Sequence, residues 1–282
     1  MTELGREENT KKDDRPASGL VAEIVRILRK RKGYTQDQLG DLIGWTGSAI
    51  SAVETRAQPV SDEMLVALEP AIGEGLGVFT VARPYILRER FPRRFRDYSI
   101  LEAEARTIST YENFVVDGLF QTEDYARALI GGSYPPPSEA QREELVEARR
   151  SRRAVFDRED PPYLELILEE SVLRRPFGSL DILREQLLAL AEDAALPHVN
   201  LQVLPLDRAL RGSHAGDRGP MHLVETKDHE HVVYMEIEDQ GLLISRPAAV
   251  SDLSHRYARI RAQALSPDDS LDLITRLAGE MA

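Results

Sequence analysis

Residues 35–56, TQDQLGDLIGWTGSAISAVETR, are the stretch whose residue types and spacing best define a chemistry, and that chemistry is recognition through hydrogen bonds. Thr35 is placed to cap a helix with apolar positions Leu39, Leu42 and Ile43. Gly44 ends that helix, as a residue free to take positive φ does just past a C-terminus. Thr46 caps a second short helix whose buried stripe is Ile50 and Val53. Two short helices joined by a tight glycine turn form a helix-turn-helix, which lays its second helix in the DNA major groove.

Bond-making constellations fail by comparison. His214, His222, His229 and His231 lie near Asp217, Asp228 and Glu230 in sequence. On a strand, His229 and His231 would share one face, but no third ligand is specified, so these are expected to be surface loop and strand histidines. Gly73-Glu74-Gly75-Leu76-Gly77 has no preceding strand and reads as a helix-terminating linker instead of a phosphate cradle. Glu169-Glu170 with Arg174-Arg175 reads as a surface salt-bridge set. The chain is expected not to be an enzyme, with no catalytic residue, metal or cofactor.

The helix-turn-helix needs neighbours that complete a core. Upstream, Leu20, Ile24, Ile27 and Leu28 make an amphipathic helix ending in the basic run Arg29-Lys30-Arg31-Lys32. Downstream, Pro59 breaks the chain, Ser61 caps, and Met64, Leu65, Leu68 and Ile72 form another apolar face. With Thr35-Gln36, Leu39, Gly44, Thr46, Ile50-Ser51 and Glu54 at their spacings, the segment resembles the XRE (lambda/434 repressor-like) family. That resemblance implies DNA binding. It puts Gly47, Ser48, Ser51 and Ala52 on the base-reading face and Gln36, Thr46 and Arg56 at the DNA backbone. It also implies that Arg29 and Glu54 form an internal ion pair with a structural role. The readers are small, so modest base discrimination is expected, with much of the affinity from phosphates and DNA shape. One such unit covers few base pairs, so the expected partner is a double-stranded operator bound by a homodimer.

Length and charge set the frame. The 282 residues suffice for one small and one medium domain. There are no cysteines, which excludes disulfides and cysteine-ligated metal sites. With no signal-peptide pattern and no apolar run long enough to span a membrane, a cytoplasmic, nucleoid-associated protein without membrane contact is expected. The net charge of -12 looks wrong for a DNA binder, but it is unevenly distributed. Residues 1–100 carry 16 Lys+Arg against 15 Asp+Glu, a net of +1, and residues 101–282 carry 20 against 33, a net of -13. Binding to phosphates must therefore rest on a local basic face.

Four segments follow: a disordered polar arm over 1–17, the helical DNA-binding domain over 18–75, an Arg/aromatic-rich linker over 76–99, and a larger domain over 100–282. The linker has two readings. It is a connecting helix with solvated arginines, or an auxiliary phosphate clamp through Arg88, Arg93 and Arg94. In the last segment, strands are expected near 105–111, 163–168, 199–204, 220–226, 231–238 and 241–245. Helices are expected over 122–130, 138–156, 179–195, 247–265 and 267–281. The fold class is thus an all-α helix-turn-helix domain followed by an α+β domain with a mainly antiparallel sheet.

The segment Gly118-Leu119-Phe120-Gln121-Thr122-Glu123-Asp124-Tyr125-Ala126-Arg127, with Glu170, Leu173-Arg174, Arg184-Glu185-Gln186-Leu187, Val203-Leu204-Pro205 and Ala264-Leu265-Ser266-Pro267, resembles the C-terminal domain of actinobacterial WhiJ-type regulators. Asp117 and Phe120 depart from the usual proline and leucine. Arg153 stands where glutamine is common. The resemblance implies a transcriptional regulator whose C-terminal domain senses a small partner protein or a small-molecule ligand. The alternative it implies is an antitoxin-like protein that neutralises a small partner and autoregulates its operon.

Overall fold

The computed structural model describes residues 16–89, 95–212, 214–237 and 240–281. The chain forms two compact units that meet in sequence between Arg96 and Asp97.

The first unit is all helical: α1 (Pro16–Arg31), α2 (Gln36–Ile43), α3 (Gly47–Glu54), α4 (Asp62–Ile72) and α5 (Val78–Arg88). Its core joins Val21, Val25 and Leu28 of α1 to Leu39, Ile43, Ile50, Val53, Met64, Leu65, Leu68 and Ile72. The α1 face differs from the expected one. Leu20 and Ile27 are exposed, and Val21, Val25 and Leu28 point inward. Both sets recur at helical spacing, and packing against the other helices selects the set about one residue round the helix. Leu42 is likewise exposed.

Helix α5 falls within the segment expected as a linker, yet it is part of this unit, because Phe79 and Ile86 are buried in the same core. Two carboxylates tie it in by capping free helix N–H groups. Glu69 Oε2 accepts from Phe79 N at 2.7 Å and Thr80 N at 3.0 Å. Glu89 accepts from Ala17 N at 2.6 Å and Ser18 N at 2.9 Å, closing the start of α1. Of the expected disordered arm, residues 1–15 lie outside the described residues, and Pro16 and Ala17 open α1.

The second unit runs α6 (Arg96–Glu104), β1 (Thr107–Glu112), α7 (Glu123–Gly131), α8 (Glu139–Arg152), β2 (Tyr163–Glu169), α9 (Glu170–Arg174), α10 (Leu180–Ala194), β3 (Val199–Leu204), β4 (Met221–Glu225), β5 (His231–Ile237), β6 (Gln240–Ile244), α11 (Pro247–Gln263) and α12 (Pro267–Glu280). The six strands form one sheet in the order β3-β2-β1-β4-β5-β6. The unit is α+β, as expected, but the sheet is mixed. β1–β4, β4–β5 and β5–β6 are antiparallel, whereas β1–β2 and β2–β3 are parallel. Helices α7 and α8 lie between β1 and β2, and α9 and α10 between β2 and β3. Such crossovers return the chain to the same end of the sheet, so those pairs must run parallel.

Alternation along the central strands separates two faces. Tyr111, Ile167, Met221 and Val233 pack with Val250, Tyr257 and Ile260 of α11. Thr110, His222 and Tyr234 are in register across β1, β4 and β5 and lie on the opposite face.

Candidate nucleic-acid interface and a buried polar cluster

The helix-turn-helix is built by local capping and by glycine contact. Thr35 and Gln38 form a reciprocal capping box at the start of α2, with bonds of 3.1 and 2.8 Å. Gly44 turns the chain at φ 85°, in the left-handed region, and Thr46 Oγ1 caps α3 by accepting from Ala49 N at 3.2 Å. Gly40, which sequence reasoning missed, is where the two helices touch. A Cβ there would stand 2.7 Å from Trp45 O and 2.9 Å from Gly47 N. Gly47 meets α2 from the other side, since its Cβ would collide with Asp37. Gly47 therefore sets the spacing of the helices.

The other expected contact residues divide by what holds them. Ser48 is exposed and lies 3.0 Å from the Thr46 hydroxyl, so both hydroxyls sit at the outer N-terminal end of α3. Ser51 and Ala52 are half-buried on the next turn, and Arg56 is exposed just beyond α3 at φ 62°. Gln36 is engaged inside the unit: its Nε2 donates to Glu54 Oε2 at 2.8 Å.

Arg29 and Glu54 form the expected pair. Arg29 Nε and Nη2 donate to the two Glu54 oxygens at 2.6 and 2.9 Å, and Nη1 donates to Tyr34 O at 2.7 Å. The Glu54 side chain is only 4% exposed. Burial would raise its pKa, but hydrogen bonds from Arg29 and Gln36 outweigh that and hold it below the ordinary carboxylate value. This network ties α1, α2 and α3 together.

The arginine-rich segment is only partly visible. Arg88 ends α5, and its side chain, with Arg93 and Arg94, lies outside the described residues. Arg83 on α5 is paired with Asp62.

The second unit buries a polar cluster on the sheet face opposite α11. Glu102 of α6 and Arg152 of α8 form a bidentate pair at 2.6 and 2.7 Å, both almost fully buried. Burial opposes the charge on Arg152, yet Glu102 and Asp117 outweigh it and raise the guanidinium pKa. Tyr98 of α6 stacks on Tyr234 at 4.4 Å and tilts against His222 at 5.2 Å between ring centroids. His222 is flanked by two carboxylates. Its Nε2 is 3.5 Å from Glu112 Oε1, and its Nδ1 is 3.6 Å from Asp117 Oδ2 and 3.2 Å from Thr110 Oγ1. Burial lowers the His222 pKa and raises that of Glu112 well above normal, with Asp117 and Glu236 pushing Glu112 further up.

His222 was expected at the surface and is instead buried. It sits on β4, flanked by β1 and β5, and the ring of Tyr98 from α6 packs against it. His229 is a surface residue, paired with Glu225 at 2.7 Å. Among the described residues, Glu112, Asp117 and His222 are grouped closely enough to hold a metal ion, with one ligand atom from each within 4.8 Å of the others.

The Gly118–Thr122 segment welds helices onto this cluster. A Cβ on Gly118 would stand 2.3 Å from Arg152 Nη1. Gln121 Nε2 donates to Val116 O at 2.6 Å, and its oxygen accepts from Arg149 at 2.8 Å. Gln186 of α10 accepts from Thr122 N and donates to Phe120 O, each at 2.8 Å. Arg153 pairs with Asp193 and lies over the Phe156 ring.

Residues 21–73 match the family described as a helix-turn-helix domain. Residues 95–276, nearly two thirds of the chain, match the family described as a domain of unknown function, DUF5753. The chain belongs to the DUF5753 family. No curated protein and no solved structure matches it. A helix-turn-helix module joined to a DUF5753 domain supports a DNA-binding regulator. The DUF5753 match takes in α6 through most of α12, so the buried polar cluster lies within it. Among the described residues, no helix is long and apolar enough to cross a membrane.

Proposed function

We propose that the chain is a sequence-specific transcriptional regulator of the XRE class. It binds a two-fold operator as a homodimer in the cytoplasm, and its DUF5753 domain, similar to that of WhiJ-type regulators, receives the signal as a small partner protein or ligand. The observation that carries this reading is α3 itself. Its apolar side is locked by Ile50 and Val53, while Ser48, Ser51 and Ala52 occupy its other side, with the Thr46 hydroxyl at its start.

Serine hydroxyls can bond several base edges, and Ala52 offers a methyl group to thymine. Phosphate contacts from Arg56 and from the α3 N-terminus supply most of the affinity, so binding weakens steeply with salt. Gln36 orients Glu54 in this arrangement and acts on DNA only through α2. The reading assigns no catalytic step. An inducer of this regulator binds the DNA-free state more tightly than the DNA-bound one.

Genome-wide footprinting of the wild type and a Ser48→Ala, Ser51→Ala variant tests the proposal. Altered site selection with preserved folding supports it, and unchanged site selection overturns the base-reading assignment.

A further inference from the structure

We propose that Asp37 is a specificity-determining residue of the helix-turn-helix. Its carboxylate fills the place that a side chain at position 47 would take, and there it accepts from the amino group of a cytosine. The proposal rests on the reading of α3 as the base-reading helix and names a base which that helix selects.

Residues at the start of a major-groove helix are those that approach base edges. The first residue of α3 is Gly47, which brings no side chain of its own. Asp37, in the first turn of α2, occupies the gap. A Cβ built on Gly47 would collide with Asp37 Oδ1 and stand 2.8 Å from its Cγ. The carboxylate therefore lies against the residue between Thr46 and Ser48, whose hydroxyls are 3.0 Å apart at the outer end of α3.

The fold leaves this carboxylate free. Asp37 is exposed, and among the described residues no donor or cation engages its side chain. The N–H groups at the two helix starts are capped by other residues: Gln38 N donates to Thr35 Oγ1, and Ala49 N to Thr46 Oγ1. The charge favours the start of α2 through the helix dipole, but that effect carries no base preference.

A carboxylate at this place has a definite selectivity. It only accepts, so in the major groove it can bond the amino groups of cytosine and adenine alone. Adenine sets its N7 acceptor beside that amino group, whereas guanine and thymine present acceptors without a donor, so cytosine is favoured. Ser48 and Ser51 both donate and accept, and by themselves they cannot make this distinction. The same charge opposes phosphate attraction at the α3 N-terminus. Asp37 thus lowers affinity for every sequence while it discriminates among them.

The test is selection of sites from a randomised duplex pool by the full chain, followed by fluorescence anisotropy on the selected site and its single-base variants. The wild type should enrich one cytosine position per half-site, and replacing that cytosine should weaken binding about tenfold. Asp37→Ala should lose this preference, keep the others, and bind unselected DNA several times more tightly at low salt. Asp37→Asn should accept adenine there, because its amide both donates and accepts. Gly47→Ala, with Asp37 intact, should lose the same preference, since the new Cβ turns the carboxylate away. Asp41→Ala removes an exposed carboxylate one turn further along α2 and should select as the wild type does. Circular dichroism identifies folded variants, and the near-isosteric Asp37→Asn decides the matter if Asp37→Ala does not fold. Unchanged site selection in the folded Asp37 variants, or a wild-type site without the cytosine, overturns the proposal and leaves the α3 reading standing. So does an equal change in Asp41→Ala, or an unchanged preference in folded Gly47→Ala. Failure of the wild type to enrich any sequence overturns the α3 reading and the proposal with it.

Discussion

Replacing Glu54 with alanine should destabilise the first unit strongly and impair DNA binding only as a consequence. The substitution leaves the Arg29 guanidinium almost buried with two of its donors unmatched, and it removes the acceptor of Gln36. Removing one partner of a buried ion pair costs about 3–5 kcal/mol. Arg29 keeps its bond to Tyr34 O, which places the loss near the lower end, at about 3 kcal/mol. For a unit of this size each kcal/mol moves the melting temperature by about 4–8 °C, so a fall of about 12–24 °C is expected. Differential scanning calorimetry of the full chain reads it as a shift of the first unit's transition. An Arg29→Leu, Glu54→Leu double variant should recover much of the loss, because no buried charge is left unpaired.

The pH dependence has a definite sign. The folded-state pKa of Glu54 is depressed, so its contribution is complete above the unfolded carboxylate value and disappears as pH falls through the folded value. The gap between wild type and Glu54→Ala should therefore be constant near neutrality and close under acid conditions. Full thermal stability in Glu54→Ala together with lost sequence preference would refute the bracing role.

Two further outcomes follow from close packing. Gly40→Val should push α2 from α3, since the nearest atoms to the new Cβ are backbone and cannot rotate away. A loss of about 1–3 kcal/mol with weakened DNA binding is expected, read by melting and by gel shift. Arg152→Met alone should cost the second unit about 3–5 kcal/mol through unpaired, buried Glu102, while adding Glu102→Leu should restore most of it. Equal destabilisation by the single and double variants would count against that account.

The two units bear differently on regulation. In the first, the outer side of α3 carries only the small side chains of Ser48, Ser51 and Ala52, so on the proposed reading that helix makes short contacts. In the second, the buried polar cluster joins α6 to the sheet through Tyr98 and to α8 through Glu102, and α6 is the helix through which the chain enters that unit.

Much of the element order was legible in the sequence because the signals are local. Thr35, Thr46, Ser61, Thr122 and Ser138 each cap the helix that follows, with the hydroxyl accepting an N–H three residues on. Gly44 ends α2 for a reason contained in its own backbone. The pairing of Arg29 with Glu54 came from resemblance, and the geometry agrees with it. Tertiary structure decided the rest. It chose the α1 face through Val21, Val25 and Leu28, docked α5 by Phe79 and Ile86, and turned Gln36 inward to Glu54. It made two strand pairs parallel by way of long crossovers. Above all, it brought Glu112 and Asp117 to His222, more than a hundred residues away in sequence. Caps and turns depend on neighbours within a few residues, whereas burial and pairing of a polar side chain depend on which distant element covers it, and no local spacing carries that information.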